Sequence, residues 1–310
     1  MKKILLTSTS FQDTPGGHQE LLQSQNIEVR NLRGPLKEGV LLPIIAEFEG
    51  IICGDDEITS DVIKAGAEGK LKVISKYGIG LDKINLKAAE KFGITVTNCP
   101  GVNHITVAEH VFALMLTYYK NIHLEYNYTQ NGQWERLIGH EIYKKKIGII
   151  GLGRIGKEVA KRAEVFGLEV FAYDIYLDRE FIHEYGINIL SSMEEAFQKC
   201  DIVTLHMNLT EDKKNIISES TFKNMGSNKV VLVNTARGDL IEMDDLIQGL
   251  DQGNIKAYLT DVLDEEPMPL NHPLQSRKDV IITPHIGSRT YESVERQGLM
   301  AVKNMVKSIG

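Results

Sequence analysis

The sequence predicts an α/β protein built on open parallel sheets with helices on both faces. Two observations carry this. Short apolar runs rich in Val and Ile recur along the 310 residues, and helix-like segments alternate with them. The runs are continuous rather than period-two, as in strands buried on both faces. Strand and helix in alternation give right-handed crossover units, and therefore parallel pairing. The length suits about two domains of ordinary size. With 42 % apolar and 25 % charged residues, sizeable cores and a solvated surface are both expected.

The runs are "KILL" from Lys3, "GIIC" from Gly50, "KVIS" from Lys72, "KIGIIG" from Lys146 and "VFAYD" from Val170, then "IVTLH" from Ile202, "VVLVN" from Val230, "AYLTD" from Ala257 and "VIIT" from Val280. The first is too short for a signal-peptide core or a bilayer span. No membrane segment is expected. Cys53, Cys99 and Cys200 form no C-x-x-C pair, so neither a disulfide nor a zinc site is expected, and a reducing cytoplasm fits. A net charge of −7 without a basic stripe argues against a nucleic-acid partner.

"HITVAEHVFALMLTYYKN", from His104 to Asn121, is apolar nearly all round, with Glu109 and His110 as early polar interruptions. Such a helix must be buried on most of its surface. Residues 122–145 are polar, aromatic and irregular and hold the only tryptophan, Trp134. They read as an excursion from the domain and a candidate subunit contact.

"KKKIGIIGLGRIGKEVAKRAEVFGLEVFAYD" carries the nucleotide signal. Gly151 permits a tight turn, Gly153 lets backbone N–H groups approach a pyrophosphate, and Gly156 lets helix and strand pack closely. Arg154 and Ile155 open the helix, whose N-terminus offers free N–H donors and positive dipole. Asp174 ends the next strand, placed to accept hydrogen bonds from ribose hydroxyls. A glycine-rich turn in some other α/β protein is the competing reading. The strand before, the helix after and the acid at the expected distance weigh against it. A carboxylate at Asp174 would repel a 2′-phosphate, which favours NAD(H) over NADP(H).

In open α/β sheets, ligands bind outside the carboxyl ends of the strands. "VVLVN" runs into "TARGDLI" and places Arg237 past a strand end, beside a flexible Gly238. "AYLTD" ends in Asp261 and opens an acidic loop with Asp264, Glu265 and Glu266. "VIITP" places His285 at the next strand end. Each alone reads as a surface charge, a solvated acid run or a structural histidine. Together they suit hydride transfer between a hydroxy acid and a nicotinamide. An arginine binds a carboxylate bidentately, a histidine moves protons near neutral pH, and a carboxylate orients that histidine. His272, within the acidic loop, is set aside in favour of His285, and Asp264 and Glu265 are read as solvated.

Six ordered stretches, "SKYGIGLDKIN", "NCPGVNHITVAEHVFALML", "IGIIGLGRIG", "NTARGDLI", "DVLDEEP" and "TPHIGS", resemble the D-isomer-specific 2-hydroxyacid dehydrogenases, in particular the phosphoglycerate dehydrogenase-like branch. The resemblance spans nearly the whole chain. It implies two doubly wound, Rossmann-like or flavodoxin-like domains with an active-site cleft between them. Residues 1–100 with 288–310 would form the substrate domain and 101–287 the NAD domain, with homodimers held largely by the latter. It further implies that Arg237 holds the substrate carboxylate, His285 is the acid/base, and Glu266 hydrogen-bonds the histidine and raises its pKa. Asp261 would contact the nicotinamide carboxamide. The amides around Ile79 and Gly80 would anchor the carboxylate a second time. Thr106 would reach a cofactor phosphate, and His206, Thr210, Thr235, Ala236 and Gly287 complete the expected cofactor contacts.

Two departures stand out. In "LHMNLT", Asn208 replaces the family's usual proline, which predicts a looser adenosine wall. In "GIICGDDEITSDVI", Asp55, Asp56 and Glu57 stand where phosphoglycerate-specific members tend to place arginine, and are expected to repel a phosphorylated substrate. With the last residue at 310, no domain for serine feedback is expected to follow. The expected substrate is a small 2-hydroxy or 2-oxo acid of the 3-phosphoglycerate, hydroxypyruvate or glyoxylate type. An NAD(H)-sensing corepressor-like protein is the alternative on the same fold. Formate or phosphite oxidation is a third reading, disfavoured because the fold pairs its histidine with glutamine for formate.

Overall fold

Each apolar run is a strand, and both sheets are parallel throughout. The computed structural model describes residues 1–310, which divide into two units: Met1–Asn103 with Ser288–Gly310, and His104–Gly287.

The first unit holds β1 (Lys2–Leu6), β2 (Ile27–Asn31), β3 (Gly50–Cys53), β4 (Val73–Lys76) and β5 (Thr95–Thr97), in the order β2-β1-β3-β4-β5. Ile4 and Leu6 of β1 face one layer of the core with Val294, Ala301, Val302 and Met305 of the closing helix, Tyr291–Ile309. Leu5 faces the other layer, with Leu41, Phe48 and Ile63. Successive side chains of a strand point to opposite faces. Two covered faces therefore leave no polar position, hence the unbroken run.

The second unit holds β6 (Lys146–Ile150), β7 (Glu169–Tyr173), β8 (Asn188–Ile189), β9 (Ile202–Leu205), β10 (Val230–Asn234), β11 (Ile255–Thr260) and β12 (Val280–Ile282). Their order is β12-β11-β10-β9-β6-β7-β8, which reverses between β6 and β9. Such a switch point opens a ligand crevice at the carboxyl ends of the strands. The helix His104–Tyr119 lies on the helix Arg154–Val165 and buries Val107, Val111, Phe112, Leu114 and Met115. The helix Ile122–Gln130 buries none of its residues, and Trp134 and Ile138 beyond it are 78 % and 94 % exposed. No helix is long and apolar enough to cross a membrane.

Three strands have no apolar run: β2, β5 and β8. All three lie at sheet edges. Edge strands are kept short and polar because a long apolar edge would pair with other chains.

The segment after β3 corrects one expectation. Asp56 is fully buried and accepts from Thr7 Oγ1 at 2.6 Å, Leu36 N at 2.7 Å and Gly54 N at 2.9 Å. Burial pushes its carboxyl up from the usual range. Asp55 accepts from the buried Lys76 Nζ at 2.6 Å, which also donates to Gly54 O. Glu57 pairs with Lys37 at 2.6 Å, and that ammonium holds its carboxyl below the usual range. The three acids are therefore one structural hub and two neutralised ion pairs. The expected repulsion of a phosphorylated substrate loses its basis.

Asp56→Ala strands two backbone amides and leaves the Thr7 hydroxyl only Ile52 O, at 3.3 Å. We expect it to lower the unfolding free energy by about 1–3 kcal/mol, read from urea titration. A wild-type midpoint and slope would mean that those donors have other acceptors.

Candidate active site

The glycine turn follows β6 at the switch point. Gly151 has φ +98°, and its N–H donates to Tyr173 O at 2.9 Å. A Cβ there would stand 2.7 Å from His206 O, in the segment leaving β9, so a side chain would close the crevice. At Gly156 a Cβ would lie 2.1 Å from Gly151 O, where the helix Arg154–Val165 rests on its own turn. Gly153, by contrast, faces open space with nothing within 4 Å. The N–H groups of Arg154 and Ile155 sit at the helix end before any intrahelical acceptor is available. Open space beside free amides is what a pyrophosphate needs.

Asp174 follows β7, and both its oxygens are anchored by backbone: Oδ2 accepts from Leu152 N at 2.6 Å and Oδ1 from Tyr176 N at 2.9 Å. The carboxylate is thus fixed beside the turn, with lone pairs left for hydroxyl donors. Two buried polar atoms along the same edge, Thr235 Oγ1 and His206 Nδ1, have no partner within the protein. Buried polar groups are normally satisfied, and both suit a bound dinucleotide. Burial pushes His206 down to about 3, so it stays neutral and acts as a hydrogen-bonding group; its Nε2 lies 2.9 Å from Thr204 Oγ1. Thr106 is buried in the first turn of its helix, and Thr210 lies exposed after β9.

The turn after β10 is built by Asn234, which is fully buried. Its Oδ1 accepts from Ala236 N at 3.0 Å, and its Nδ2 donates to Arg237 O at 2.8 Å. Arg237 stands at the tip, donating to Ala236 O at 2.8 Å. Gly238 is not there for flexibility. A Cβ would fall 2.0 Å from Leu263 C and 2.3 Å from Asp264 N, so glycine is required for the arginine turn to lie against the acidic loop.

The contact continues from there. Leu263 N donates to Glu266 Oε1 at 2.9 Å, and Glu266 Oε2 lies 2.7 Å from His285 Nδ1. Arginine, glutamate and histidine turns are thus cross-linked through one loop. About a third of the Glu266 and His285 side chains is exposed, so the pair is open to a reactant. His285 has φ +53°, unusual for a residue with a side chain. Its N–H donates to Asp261 O at 2.9 Å.

Asp261 is 3 % exposed. Its Oδ1 accepts from Thr283 Oγ1 at 2.6 Å and Ile286 N at 2.8 Å, and its Oδ2 from Gly287 N at 2.7 Å. Burial pushes this carboxyl up, but hydrogen bonds from His110, Thr283 and the two amides outweigh it and hold it below the usual range. Asp261 therefore organises the histidine turn. Of the other loop acids, Glu265 is exposed, whereas Asp264 lies 3.5 Å from the buried His272 rather than being simply solvated. Ile79 and Gly80 lie in the first unit, past β4, where Asn98 Nδ2 donates to Ile79 O at 2.8 Å.

Residues 112–287 match the family model described as "D-isomer specific 2-hydroxyacid dehydrogenase, NAD binding domain". The chain is also 35 % identical over 298 residues to hydroxypyruvate reductase of Thermotoga maritima, covering 94 % of each. This chain belongs to the D-isomer-specific 2-hydroxyacid dehydrogenases. It is 36 % identical over 309 residues to D-3-phosphoglycerate dehydrogenase of Methanocaldococcus jannaschii, covering 99 % of this chain but only 57 % of that protein. The crystal structure of D-lactate dehydrogenase from Aquifex aeolicus, complexed with NAD and lactic acid, superposes with a TM-score of 0.84. Identity is 27 %, over 98 % of this chain and 94 % of that one. The matched NAD-binding domain and the glycine turn agree on a nicotinamide cofactor. Sequence reading missed Asn234 and Thr283 and left His110 without a role. Their only signal was polarity within otherwise apolar segments.

Gly238→Ala is expected to leave the β6 nucleotide turn intact while forcing the Arg237 turn off the acidic loop. Displacement on the order of 1 Å costs roughly 100-fold in rate. We expect near-normal NADH binding by fluorescence titration with turnover reduced by about that factor. Normal turnover would show that the two loops need not touch.

Proposed function

We propose that the protein is an NAD-dependent D-2-hydroxyacid dehydrogenase, interconverting a small 2-hydroxy acid and its 2-oxo acid in the cytoplasm. The observation that carries the reading is the Glu266–His285 pair at 2.7 Å, within the same unit as the glycine turn and Asp174. Residues 101–287 form the cofactor domain, and residues 1–100 with 288–310 the substrate domain. The segment 122–145, with Trp134 and Ile138 exposed, contributes to a homodimer.

In reduction, Arg237 holds the substrate carboxylate bidentately and polarises the neighbouring carbonyl. The backbone amides of Ile79 and Gly80 are the substrate domain's candidate donors to a carboxylate. Bound NADH supplies the hydride. His285 gives its proton to the carbonyl oxygen as the C–H bond forms, so the 2-oxo acid takes up one hydride and one proton. Glu266 stabilises the imidazolium that must be present beforehand. Oxidation runs the same steps backwards, with neutral His285 as the base.

Gly151, Gly153, Arg154, Ile155 and Gly156 hold the pyrophosphate, with Thr106 beside it. Asp174 takes the adenosine ribose hydroxyls, and its fixed negative charge selects NAD over NADP. His206, Thr210, Thr235, Ala236 and Gly287 line the remainder of the dinucleotide, and Asp261 meets the nicotinamide carboxamide. Hydroxypyruvate, glyoxylate and 3-phosphoglycerate types all remain substrates to test, because Asp55 and Glu57 are paired and Asp56 is buried.

NADH oxidation with a panel of 2-oxo acids tests the reading. Arg237→Ala and His285→Ala should each lose most of kcat, and wild-type-like turnover in either would sink the assignment.

Glu266→Gln removes the charge that favours the imidazolium. The pH–rate limb set by His285 should move to lower pH. For reduction, activity would be lost sooner as pH rises. Glu265→Gln should leave that limb in place; equal shifts in the two variants would mean a general surface-charge effect.

A further inference from the structure

We propose that His110 is a positioning residue for the acid/base. Through the hydroxyl of Thr283 and the carboxylate of Asp261, it holds the turn 283–287 from which His285 projects. The kinetic part of this proposal rests on the dehydrogenase reading above.

His110 sits on the helix His104–Tyr119, among residues that are otherwise mostly apolar and buried. Its side chain is 15 % exposed, and burying an imidazole is costly unless it is hydrogen-bonded. Nε2 lies 2.8 Å from Thr283 Oγ1 and 3.4 Å from Asp261 Oδ1. Thr283 Oγ1 donates its one proton to Asp261 Oδ1 at 2.6 Å. The hydroxyl is therefore left as an acceptor towards the ring, so His110 carries a proton on Nε2 and donates it. The direction of the relay is set: ring to hydroxyl to carboxylate.

The carboxylate then collects the far side of the turn. Asp261 takes the N–H groups of Ile286 and Gly287 on its side chain and that of His285 on its own carbonyl. A Cβ at Gly287 would stand 2.8 Å from Asp261 Oδ2 and 3.5 Å from His110 Cδ2, so the three elements meet without spare room. His285 holds a left-handed backbone, a conformation that persists when the surroundings over-determine it. The relay supplies that determination from a helix whose buried face is otherwise core. The acid/base is thus fixed twice: by Glu266 at its Nδ1 and by His110 through its backbone.

His110→Leu removes the donor, Thr283→Val removes the hydroxyl at constant shape, and His110→Gln returns a donor where Nε2 stood. We expect kcat to fall on the order of 10- to 100-fold in His110→Leu and in Thr283→Val. KM for the 2-oxo acid should change little, because Arg237 is untouched. His110→Gln should recover most of kcat, and the double variant should be no worse than the poorer single, since both act through one path. Hydrogen exchange at Ile286 and Gly287, an activity-independent readout, should quicken in His110→Leu and Thr283→Val.

Wild-type kcat with unchanged exchange in both variants would overturn the proposal, as would strictly multiplicative losses in the double variant. If His110→Leu does not fold, Thr283→Val against His110→Gln decides in the same way. Lack of turnover by the wild-type chain with every 2-oxo acid would overturn the dehydrogenase reading instead. Exchange at the turn would still decide the relay: faster exchange supports it and unchanged exchange refutes it.

Discussion

Because β9, β10, β11 and β12 run parallel, their carboxyl ends emerge on one edge, and every loop leaving them starts there. Parallel pairing thus delivers Arg237, Asp261 and His285 to one side of one sheet without any of them being near another in sequence. It does not make them touch. That takes three close contacts between loops: Gly238 against Leu263, Glu266 against His285, and Asp261 inside the turn 283–287. Each uses a different means, namely a missing side chain, a carboxylate–imidazole hydrogen bond and a buried carboxylate.

The two buried carboxylates show how one device serves two ends. Asp56 and Asp261 each follow a strand of a parallel sheet, and each gathers backbone N–H groups from segments that would otherwise part. Burial opposes the charge in both. In Asp56 burial prevails and its carboxyl rises; in Asp261 the polar groups around it, His110 and Thr283 among them, reverse the sign. Asp56 ties the first unit's loops together. Asp261 holds the turn from which His285 projects.

The glycine turn was legible in the sequence because its physics is local. Strand, turn, helix and acid lie within about 30 residues, and each glycine answers a steric demand of its near neighbours. Edge strands β2, β5 and β8 were not, because their partly covered faces leave no apolar run, whereas β12, also at an edge, keeps one. The acids at 55–57 misled for a related reason. Charge along the chain says nothing of partners, and Lys76, Lys37 and Thr7 reach them from 20 to 49 residues away.

The sequence by itself determined the α/β class, the nucleotide turn and the types of residue that stand at the strand ends, since periodicity and turn sterics act over a few residues. Tertiary structure decided which of four loop carboxylates meets His285, why Gly238 must lack a side chain, and what His110 does inside an apolar helix. Those outcomes depend on distances between segments that the fold brings together, across 19 residues for Glu266 and His285 and 173 for His110 and Thr283. No local pattern encodes such distances.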